Sequence, residues 1–299
     1  MKHKAKTGRG SQMGQLLSER IMFTHVSKIA SFSVAILLTA CSAPQEIVNV
    51  SGSSTVLPVI SKAAQAYSDT TGKRVIVNSG GSGVGFNQLA EGKTDIGMMS
   101  RDMTDEEVKQ YPAHEFSAIP IGIDAVVPVV SSEIYEAGVT ALSLAEIASI
   151  YRGDVQNWSE LGGPDRDILV IDKEASRGTR HIFMKVVMGD ATAQAPGADL
   201  VLGANNEEQT AMAQSDAAIG MISLAWINDD VKGLAIEEGN RTIEANLNVI
   251  ASGDYPISRD LIVVVRDDIK PEAKSFIDYL LSPAGQNFVE ASGYIKINP

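Results

Sequence analysis

Short apolar segments alternate with longer amphipathic segments through residues 47–110. The apolar segments have the length and alternation of strands, and the amphipathic ones repeat their apolar residues at helical spacing. The predicted strands and helices follow one another as 47–50, 56–70, 74–78, 86–91, 94–101 and 102–110. This succession of strand–helix units favours a mostly parallel sheet with helices packed against it.

A long apolar run over residues 117–130 is about twice the length of a usual strand. It contains Pro120, Gly122 and Pro128, which predict breaks in the strand. We interpret this run as the passage of the chain from a first lobe to a second. A later β-rich run at 260–266 is interpreted as the return to the first lobe.

The second half of the chain continues the mixture of strands and helices. Helical spacing begins near Thr179, and a helix that starts with Pro closes the sequence at 271–281. The other predicted elements are a helix at 142–151, a Trp-bearing turn at 157–164, a strand at 168–171, a helix at 207–214 and a buried strand at 217–222.

The N-terminal residues have the pattern of a leader. Residues 1–28 are basic, and the apolar run 29–38 that follows is too short for an ordinary membrane span, so residues 1–40 are interpreted as a secretory signal peptide, with Met22 as an alternative start. The tetrapeptide LTAC at 38–41 resembles the bacterial lipobox, in which the Cys is acylated and becomes the mature N-terminus. We therefore expect lipid on Cys41.

The charge balance excludes one class of partner. The 299 residues include 37 Asp and Glu against 25 Lys and Arg, a net charge of −12, and removal of residues 1–40 leaves 36 against 19, a net charge of −17. General nucleic-acid binding needs clustered Lys and Arg and is not expected. With one Cys in the chain, and only His114 and His181 after residue 40, neither a disulfide nor a Cys- or His-rich metal site is expected. No metal or cofactor is predicted.

Turns rich in Ser, Thr and Gly follow three of the predicted strands and precede helices. They cover 51–55, 79–85 and 176–179. Helix N-termini expose unpaired N–H groups, and in open α/β sheets ligands bind at the carboxyl ends of the strands. Each turn alone is better explained as a capped helix start, but three that converge would form a desolvated site for an oxyanion.

A basic cluster surrounds the third of these turns. Lys173, Arg177 and Arg180 flank Gly178-Thr179 in an otherwise acidic chain. They predict fixed positive charge for a bound anion, and a surface patch of ion pairs is the alternative. Arg101, at the end of the third strand, is a further candidate.

Motifs for nucleotides and for serine hydrolases are incomplete. Residues 92–94 (GKT) lack the preceding glycine of a P-loop, and residues 81–85 lack the dinucleotide fingerprint. The chain has no Gly-x-Ser-x-Gly elbow. A hydrolase that pairs His181 with a nearby Ser stays open.

Five ordered motifs carry a resemblance to a known family. They are 52–58 (GSSTVLP), 81–83 (GSG), 94–101 (TDIGMMSR), 151–158 (YRGDVQNW) and 174–180 (EASRGTR). From about residue 50 to residue 299 the chain resembles the phosphate-binding lipoproteins of bacterial phosphate ABC transporters. The resemblance implies an α/β, two-lobed type 2 periplasmic-binding-protein fold with a ligand cleft between the lobes. The expected lobes are 41–125 with 257–299, and 126–256.

The resemblance also implies a set of phosphate-binding residues. They are Ser54, Thr55, Ser82, Ser100, Arg101, Lys173, Arg177, Gly178, Thr179 and Arg180. Two positions depart from the family pattern. Many relatives have an Asp, an acceptor for the proton on phosphate, where this chain has Ser100. Lys173 stands where the family often has Arg, and Arg177 where it has Ser, so we hypothesise that Arg177 supplies the bidentate contact that Lys173 cannot make.

The expected function follows from the same resemblance. It is an extracytoplasmic, lipid-anchored, monomeric receptor that binds inorganic phosphate and delivers it to an ABC permease in the cytoplasmic membrane, without enzymatic activity. Two alternatives stay open at this point. One is a phosphate-ester hydrolase or phosphate-sensing subunit on the same fold, and the other is a receptor for another tetrahedral oxyanion such as sulfate.

Overall fold

A nine-stranded mixed sheet with helices on its faces dominates the computed structural model, which describes residues 47–297. Within this range the strands are β1 (Ile47–Gly52), β2 (Arg74–Ser79), β3 (Ile96–Met99), β4 (Phe116–Ser131), β5 (Ala141–Ser143), β6 (Leu169–Lys173), β7 (Leu200–Leu202), β8 (Ala218–Ser223), β9 (Val231–Gly233), β10 (Ala235–Glu238), β11 (Arg241–Ile243) and β12 (Ser258–Arg266). The leader and Cys41 lie outside the described residues.

The helices of the same range include every one that the sequence predicts. They are α1 (Leu57–Thr71), α2 (Ser82–Ala90), α3 (Asp105–Lys109), α4 (Ser132–Glu136), α5 (Leu144–Arg152), α6 (Gly178–Val187), α7 (Asn205–Ala213), α8 (Leu247–Ala251), α9 (Pro271–Leu281) and α10 (Pro283–Glu290). The predicted start of α2 at residue 86 is wrong, because the helix already begins at Ser82 within the Gly-rich turn. None of the helices among residues 47–297 has the length and apolar character needed to cross a bilayer.

The order of strands in the large sheet is β2-β1-β3-β12-β4-β8-β6-β7, and β9 pairs with the end of β4. On one side, β1 pairs in parallel with β2 and β3, as the strand–helix alternation predicts. On the other side, β6 pairs in parallel with β7 and β8. A separate small sheet has the order β11-β10-β5.

Strand β4 is continuous over 16 residues, so the predicted breaks at its Pro and Gly residues are wrong. Residues 116–125 pair with β12, and residues 126–130 pair with β8. Pro120 is tolerated because the register with β12 shifts between Leu261 and Ile262, and a proline that lacks an N–H fits beside such a bulge. One strand therefore takes part in both halves of the sheet.

The buried apolar residues divide into clusters at β4 and β12. One cluster uses buried residues between 125 and 257. The other two, on opposite faces of the β1-containing half, use buried residues within 48–121 and 261–294. The boundary between the two halves therefore falls on the two long strands, next to Asp124 and Arg259.

Candidate functional site

Buried hydroxyl groups meet where the turns after β1 and β3 face the N-termini of α2 and α6. Ser53 Oγ donates to Ser100 Oγ at 3.0 Å, and the Ser100 N–H donates to Ser82 Oγ at 3.1 Å. Thr55 Oγ1 lies 3.5 Å from Thr179 Oγ1. This contact joins the half of the sheet that contains β1, where Thr55 lies, to the half that contains β6, where Thr179 lies. All five side chains are at most 4% exposed. We call these five side chains the hydroxyl cluster.

Glycine allows the chain segments of this region to approach closely. Gly52, at the end of β1, has φ +137°, and a Cβ there would overlap the carbonyl oxygen of Met98 on β3. The Gly83 N–H of α2 donates to the Ser176 carbonyl oxygen at 3.0 Å, which joins α2 to the turn before α6 through backbone atoms alone. The turns predicted to converge at residues 51–55, 79–85 and 176–179 do so in the structure.

Arg259 is the cation that reaches the hydroxyl cluster. Its Nη1 donates to Thr179 Oγ1 at 3.0 Å, and its Nη2 donates to Thr55 Oγ1 at 3.3 Å. The guanidinium also donates from Nε and Nη2 to Asp124 Oδ2, at 3.0 and 2.7 Å. The side chain of Arg259 is 1% exposed and that of Asp124 is fully buried. This ion pair joins β12 to β4 at the boundary between the two halves.

Burial raises the pKa of Asp124, and Arg259 opposes that rise. Ser223 Oγ also donates to Asp124 Oδ1 at 2.9 Å. The sequence analysis missed both Asp124 and Arg259. The signal that could have found Asp124 is that it is the single charge within the long apolar run 117–130, which is unusual unless a partner of opposite sign pairs with it. Arg259 stands beside Asp260 at the start of the second run and carries no such signal.

Asn205 is a further polar residue that the sequence analysis missed. It is the first residue of α7 and is 1% exposed. Its Nδ2 donates to Thr55 Oγ1 at 3.1 Å. A residue of one half therefore makes a direct hydrogen bond with a hydroxyl of the other half.

Arg101 and Arg180, two of the predicted cations, are buried and bound to carboxylates. Arg101 donates from Nη1 and Nη2 to the two carboxylate oxygens of Glu107, at 2.8 and 2.6 Å. Arg180 donates from Nε and Nη2 to Asp172, at 3.0 and 2.9 Å. Each guanidinium thus makes its bidentate contact within its own half of the protein.

Lys173 and Arg177 differ from the hypothesis made for them. Arg177 donates from Nε and Nη2 to Glu174 Oε2, at 2.8 and 2.5 Å, so its bidentate contact goes to a neighbouring carboxylate. The ammonium group of Lys173 is buried and forms an ion pair with Glu208. Burial raises the pKa of Glu208, and Lys173 opposes that rise.

Ser54 is not the serine that joins the hydroxyl cluster. The hydrogen bond to Ser100 comes from its neighbour Ser53, which is 2% exposed, whereas Ser54 is half-buried. Two successive serines in a turn point in different directions, and the sequence does not tell which one points inward. Of the other predicted residues, Thr55, Ser82, Ser100 and Thr179 lie together, with Gly178 packed against Ser82 and Ser100.

The hydrolase alternative needs an imidazole close to a serine hydroxyl. The side chain of His181 makes no hydrogen bond to a serine within residues 47–297. Burial and the neighbouring Arg101 lower the pKa of His181. The lowered pKa favours the neutral imidazole, and Arg101 is a cation close to it.

Three side chains away from the hydroxyl cluster have the chemistry of metal ligands. His114, Asp267 and Asp268 each offer a ligand atom, and these atoms lie within 4.8 Å of one another. Both carboxylates are exposed, and Asp268 accepts from Arg266 Nε and Nη2 at 2.9 and 2.7 Å. A bound guanidinium competes with a metal ion for that carboxylate, so the group resembles a surface ion pair.

Comparisons with known sequences extend over most of the chain. A model of the PBP superfamily domain matches residues 39–284. Phosphate-binding protein PstS of Borreliella burgdorferi is 30% identical over 261 residues, which cover 85% of this chain and 91% of that protein. The protein of the same name from Bacillus subtilis is 30% identical over 251 residues, 83% of this chain and 80% of that protein.

Solved structures resemble this chain over more than four fifths of its length. A phosphate ABC transporter substrate-binding protein from Clostridium perfringens, solved with bound phosphate, has a TM-score of 0.77 and 30% identity, and the match covers 85% of this chain and 100% of that one. An ABC-type phosphate transport receptor from Vibrio cholerae has a TM-score of 0.67 and 28% identity, covering 83% and 99%. The predicted α/β, two-lobed type 2 fold is confirmed, and the chain belongs to the periplasmic phosphate-binding protein family of the PBP superfamily.

Proposed function

We propose that the protein is an extracytoplasmic receptor that binds inorganic phosphate at the hydroxyl cluster and delivers it to an ABC permease. One observation carries this proposal: the buried hydroxyls, the N-terminus of α6 and the Arg259 guanidinium all meet at the boundary between the two halves. Hydroxyls, backbone N–H groups and a guanidinium are the donors that phosphate oxygens accept. The names of the similar proteins agree with this ligand and this transport role.

The proposed ligand contacts are divided between the two lobes. The lobe formed by 41–125 and 257–299 supplies Thr55, Ser82 and Ser100, and the lobe formed by 126–256 supplies Gly178 and Thr179. Arg259 supplies the positive charge that the sequence analysis assigned to the cluster around residues 173–180. In this proposal Arg101, Lys173, Arg177 and Arg180 support the site through their ion pairs with carboxylates.

A receptor binds phosphate but does not hydrolyse phosphate esters, and this difference distinguishes it from a hydrolase. Calorimetric titration of the protein lacking residues 1–40 is expected to show one phosphate bound per chain. Incubation with a phosphomonoester is expected to release no phosphate beyond the uncatalysed rate. If phosphate does not bind, or if the ester is turned over, this proposal is wrong. The same preparation would test the expected monomer by its sedimentation.

Lipid attachment at Cys41 is the second part of the proposal, and it rests on the sequence 38–41 behind a basic and then apolar leader. The native protein is expected in the membrane fraction, with residues 1–40 removed and the mass of Cys41 increased by acyl chains. Cys41→Ala is expected to move the protein out of that fraction while phosphate binding is unchanged. An unmodified Cys41, or an intact leader on the membrane-bound protein, would contradict the anchor.

A further inference from the structure

We propose that the hydroxyl cluster presents hydrogen-bond donors rather than acceptors to its ligand, so that it takes the unprotonated oxygens of a tetrahedral dianion and binds sulfate as well as phosphate. This inference rests on the proposed function and narrows it. It follows from an account of the lone pairs in the cluster, since a hydroxyl has one hydrogen to donate and two lone pairs with which to accept.

Thr55 has both of its lone pairs occupied. Its Oγ1 accepts from Asn205 Nδ2 at 3.1 Å and from Arg259 Nη2 at 3.3 Å. The remaining capacity of this hydroxyl is its own hydrogen. Asn205 and Arg259 come from opposite sides of the boundary, and together they force Thr55 to donate.

Ser100 is saturated in the same way. Its Oγ accepts from Ser53 Oγ at 3.0 Å and from Arg259 Nη1 at 3.4 Å. Its hydrogen is therefore available to Ser82 Oγ, 3.4 Å away. Ser82 Oγ already accepts from the Ser100 N–H at 3.1 Å. When Ser100 donates to Ser82, both lone pairs of Ser82 are occupied, and the hydrogen that this pair has left for a ligand is that of Ser82.

Thr179 completes the set of hydroxyls that have a hydrogen to offer, since Ser53 accepts from the Thr55 N–H and gives its own hydrogen to Ser100. Thr179 Oγ1 accepts from Arg259 Nη1 at 3.0 Å, and when the Thr55 hydroxyl, 3.5 Å away, donates to its second lone pair, the hydrogen that this pair has left for a ligand is that of Thr179. The carboxylate of Asp124, which pairs with Arg259, is not available as an acceptor. Ser223 donates to its Oδ1, Arg259 donates to its Oδ2 twice, and the Ala125 backbone N–H donates to the same carboxylate. Arg259 and Asn205 thus act as positioning residues that set the direction of the hydroxyls.

The number of protons on the ligand decides how well it fits such a site. Sulfate has four oxygens and no hydrogen near neutral pH, the phosphate dianion has one O–H group, and the monoanion has two. An O–H group of the ligand that faces only donors loses the hydrogen bond it makes with water. The site is therefore expected to accept sulfate, to accept the phosphate dianion, and to reject the phosphate monoanion.

Competition between the two anions over a range of pH tests this inference. Phosphate affinity is measured by calorimetry at about pH 8 and about pH 6, and sulfate affinity is measured at the same two values. Sulfate is the internal control, because it does not titrate in this range. Any change of charge on the protein alters both affinities. The charged or titratable side chains around the cluster include Arg101, Asp124, Arg177, His181, Tyr255, Arg259 and Tyr294.

We expect sulfate to bind within about tenfold of phosphate at about pH 8, and the ratio of phosphate to sulfate affinity to fall about tenfold at about pH 6, where most phosphate is monoanionic. If phosphate binds but sulfate is weaker by more than tenfold, or if the ratio is constant with pH, the inference is wrong and the proposed function stands. If phosphate does not bind at either pH, the proposed function itself fails.

Asn205→Asp tests the direction of the hydroxyls without removing one. A carboxylate at this position accepts the Thr55 hydrogen, so Thr55 then offers a lone pair to the ligand. The variant is expected to weaken sulfate more than phosphate and to raise the phosphate-to-sulfate ratio by at least threefold. Asn206→Asp, at the exposed next residue, adds the same charge and is expected to leave the ratio unchanged. Equal ratios in the two variants would overturn the role given to Asn205.

Discussion

Arg259→Gln is expected to lower phosphate affinity by at least about thirtyfold. Truncating one partner of a buried, hydrogen-bonded charge costs about 2–5 kcal/mol, and each 1.4 kcal/mol is about tenfold in affinity. Arg259 bonds to Thr55, Thr179 and Ser100 at once, so its loss alters three of the proposed donors together. Calorimetric titration of phosphate into the purified variant measures the effect.

The single variant leaves Asp124 buried without its partner, which costs about 3–5 kcal/mol of stability and can prevent folding. Asp124→Asn combined with Arg259→Gln replaces the ion pair with two uncharged amides. Because no buried charge is left without a partner, this double variant allows phosphate affinity to be measured if the single variant does not fold. Arg266→Gln is the matched control, because Arg266 lies on the same strand and bonds to Asp268, away from the hydroxyl cluster. If the folded double variant binds phosphate within threefold of wild type, Arg259 has no part in binding.

Gly178→Ala is expected to abolish tight phosphate binding. A Cβ on Gly178 would lie 2.5 Å from Ser100 Oγ and closer still to Ser82 Oγ, and both side chains belong to the other half of the sheet. The backbone of Gly178 is helical, as the first residue of α6, so the backbone conformation itself suits alanine. We therefore expect at least about a hundredfold loss of affinity, because the added methyl group displaces two of the hydroxyls proposed to bind the ligand.

Gly189→Ala is the control for that variant, since it makes the same change after the other end of α6. No atom lies within 4 Å of the position of its Cβ, and its φ is +76°. It is expected to lower the free energy of unfolding by about 1 kcal/mol and to leave phosphate affinity unchanged. Thermal unfolding without ligand, together with calorimetry, separates the two effects. If the Gly178→Ala protein binds phosphate within threefold of wild type, Ser82 and Ser100 are not held as close to residue 178 as the structure shows, and the prediction is wrong.

Strongly periodic segments of this sequence predict their structure well, and the exceptions have identifiable causes. The helix predicted at 271–281 is α9, with the same ends, because a Pro at its first position marks the start and apolar spacing marks its length. Strand β4 was not predicted as continuous, because a proline normally interrupts a ladder of hydrogen bonds. Only the partner strand reveals the bulge that accommodates Pro120.

The candidate site was also predicted only in part from the sequence. Turns rich in hydroxyls could be predicted to converge, because each follows a strand and strand ends share an edge of the sheet. The charge at the site could not, because Asp124 and Arg259 are separated by 135 positions in sequence and meet only through the pairing of β4 with β12. Arg177 and Arg180 have carboxylates close in sequence, Glu174 and Asp172, which bind them, whereas Lys173 pairs with the distant Glu208.

The ion pair between Asp124 and Arg259 also has an evolutionary consequence. Both residues lie in the strands that connect the two halves, and Asp124 holds the Arg259 guanidinium that bonds to the hydroxyl cluster. Loss of either charge is therefore penalised through unfolding even where phosphate is abundant and binding is not needed. A laboratory selection that asks only for soluble, folded protein would retain these two residues. The capacity to bind an anion can persist in this fold through many generations in which transport itself is not under selection.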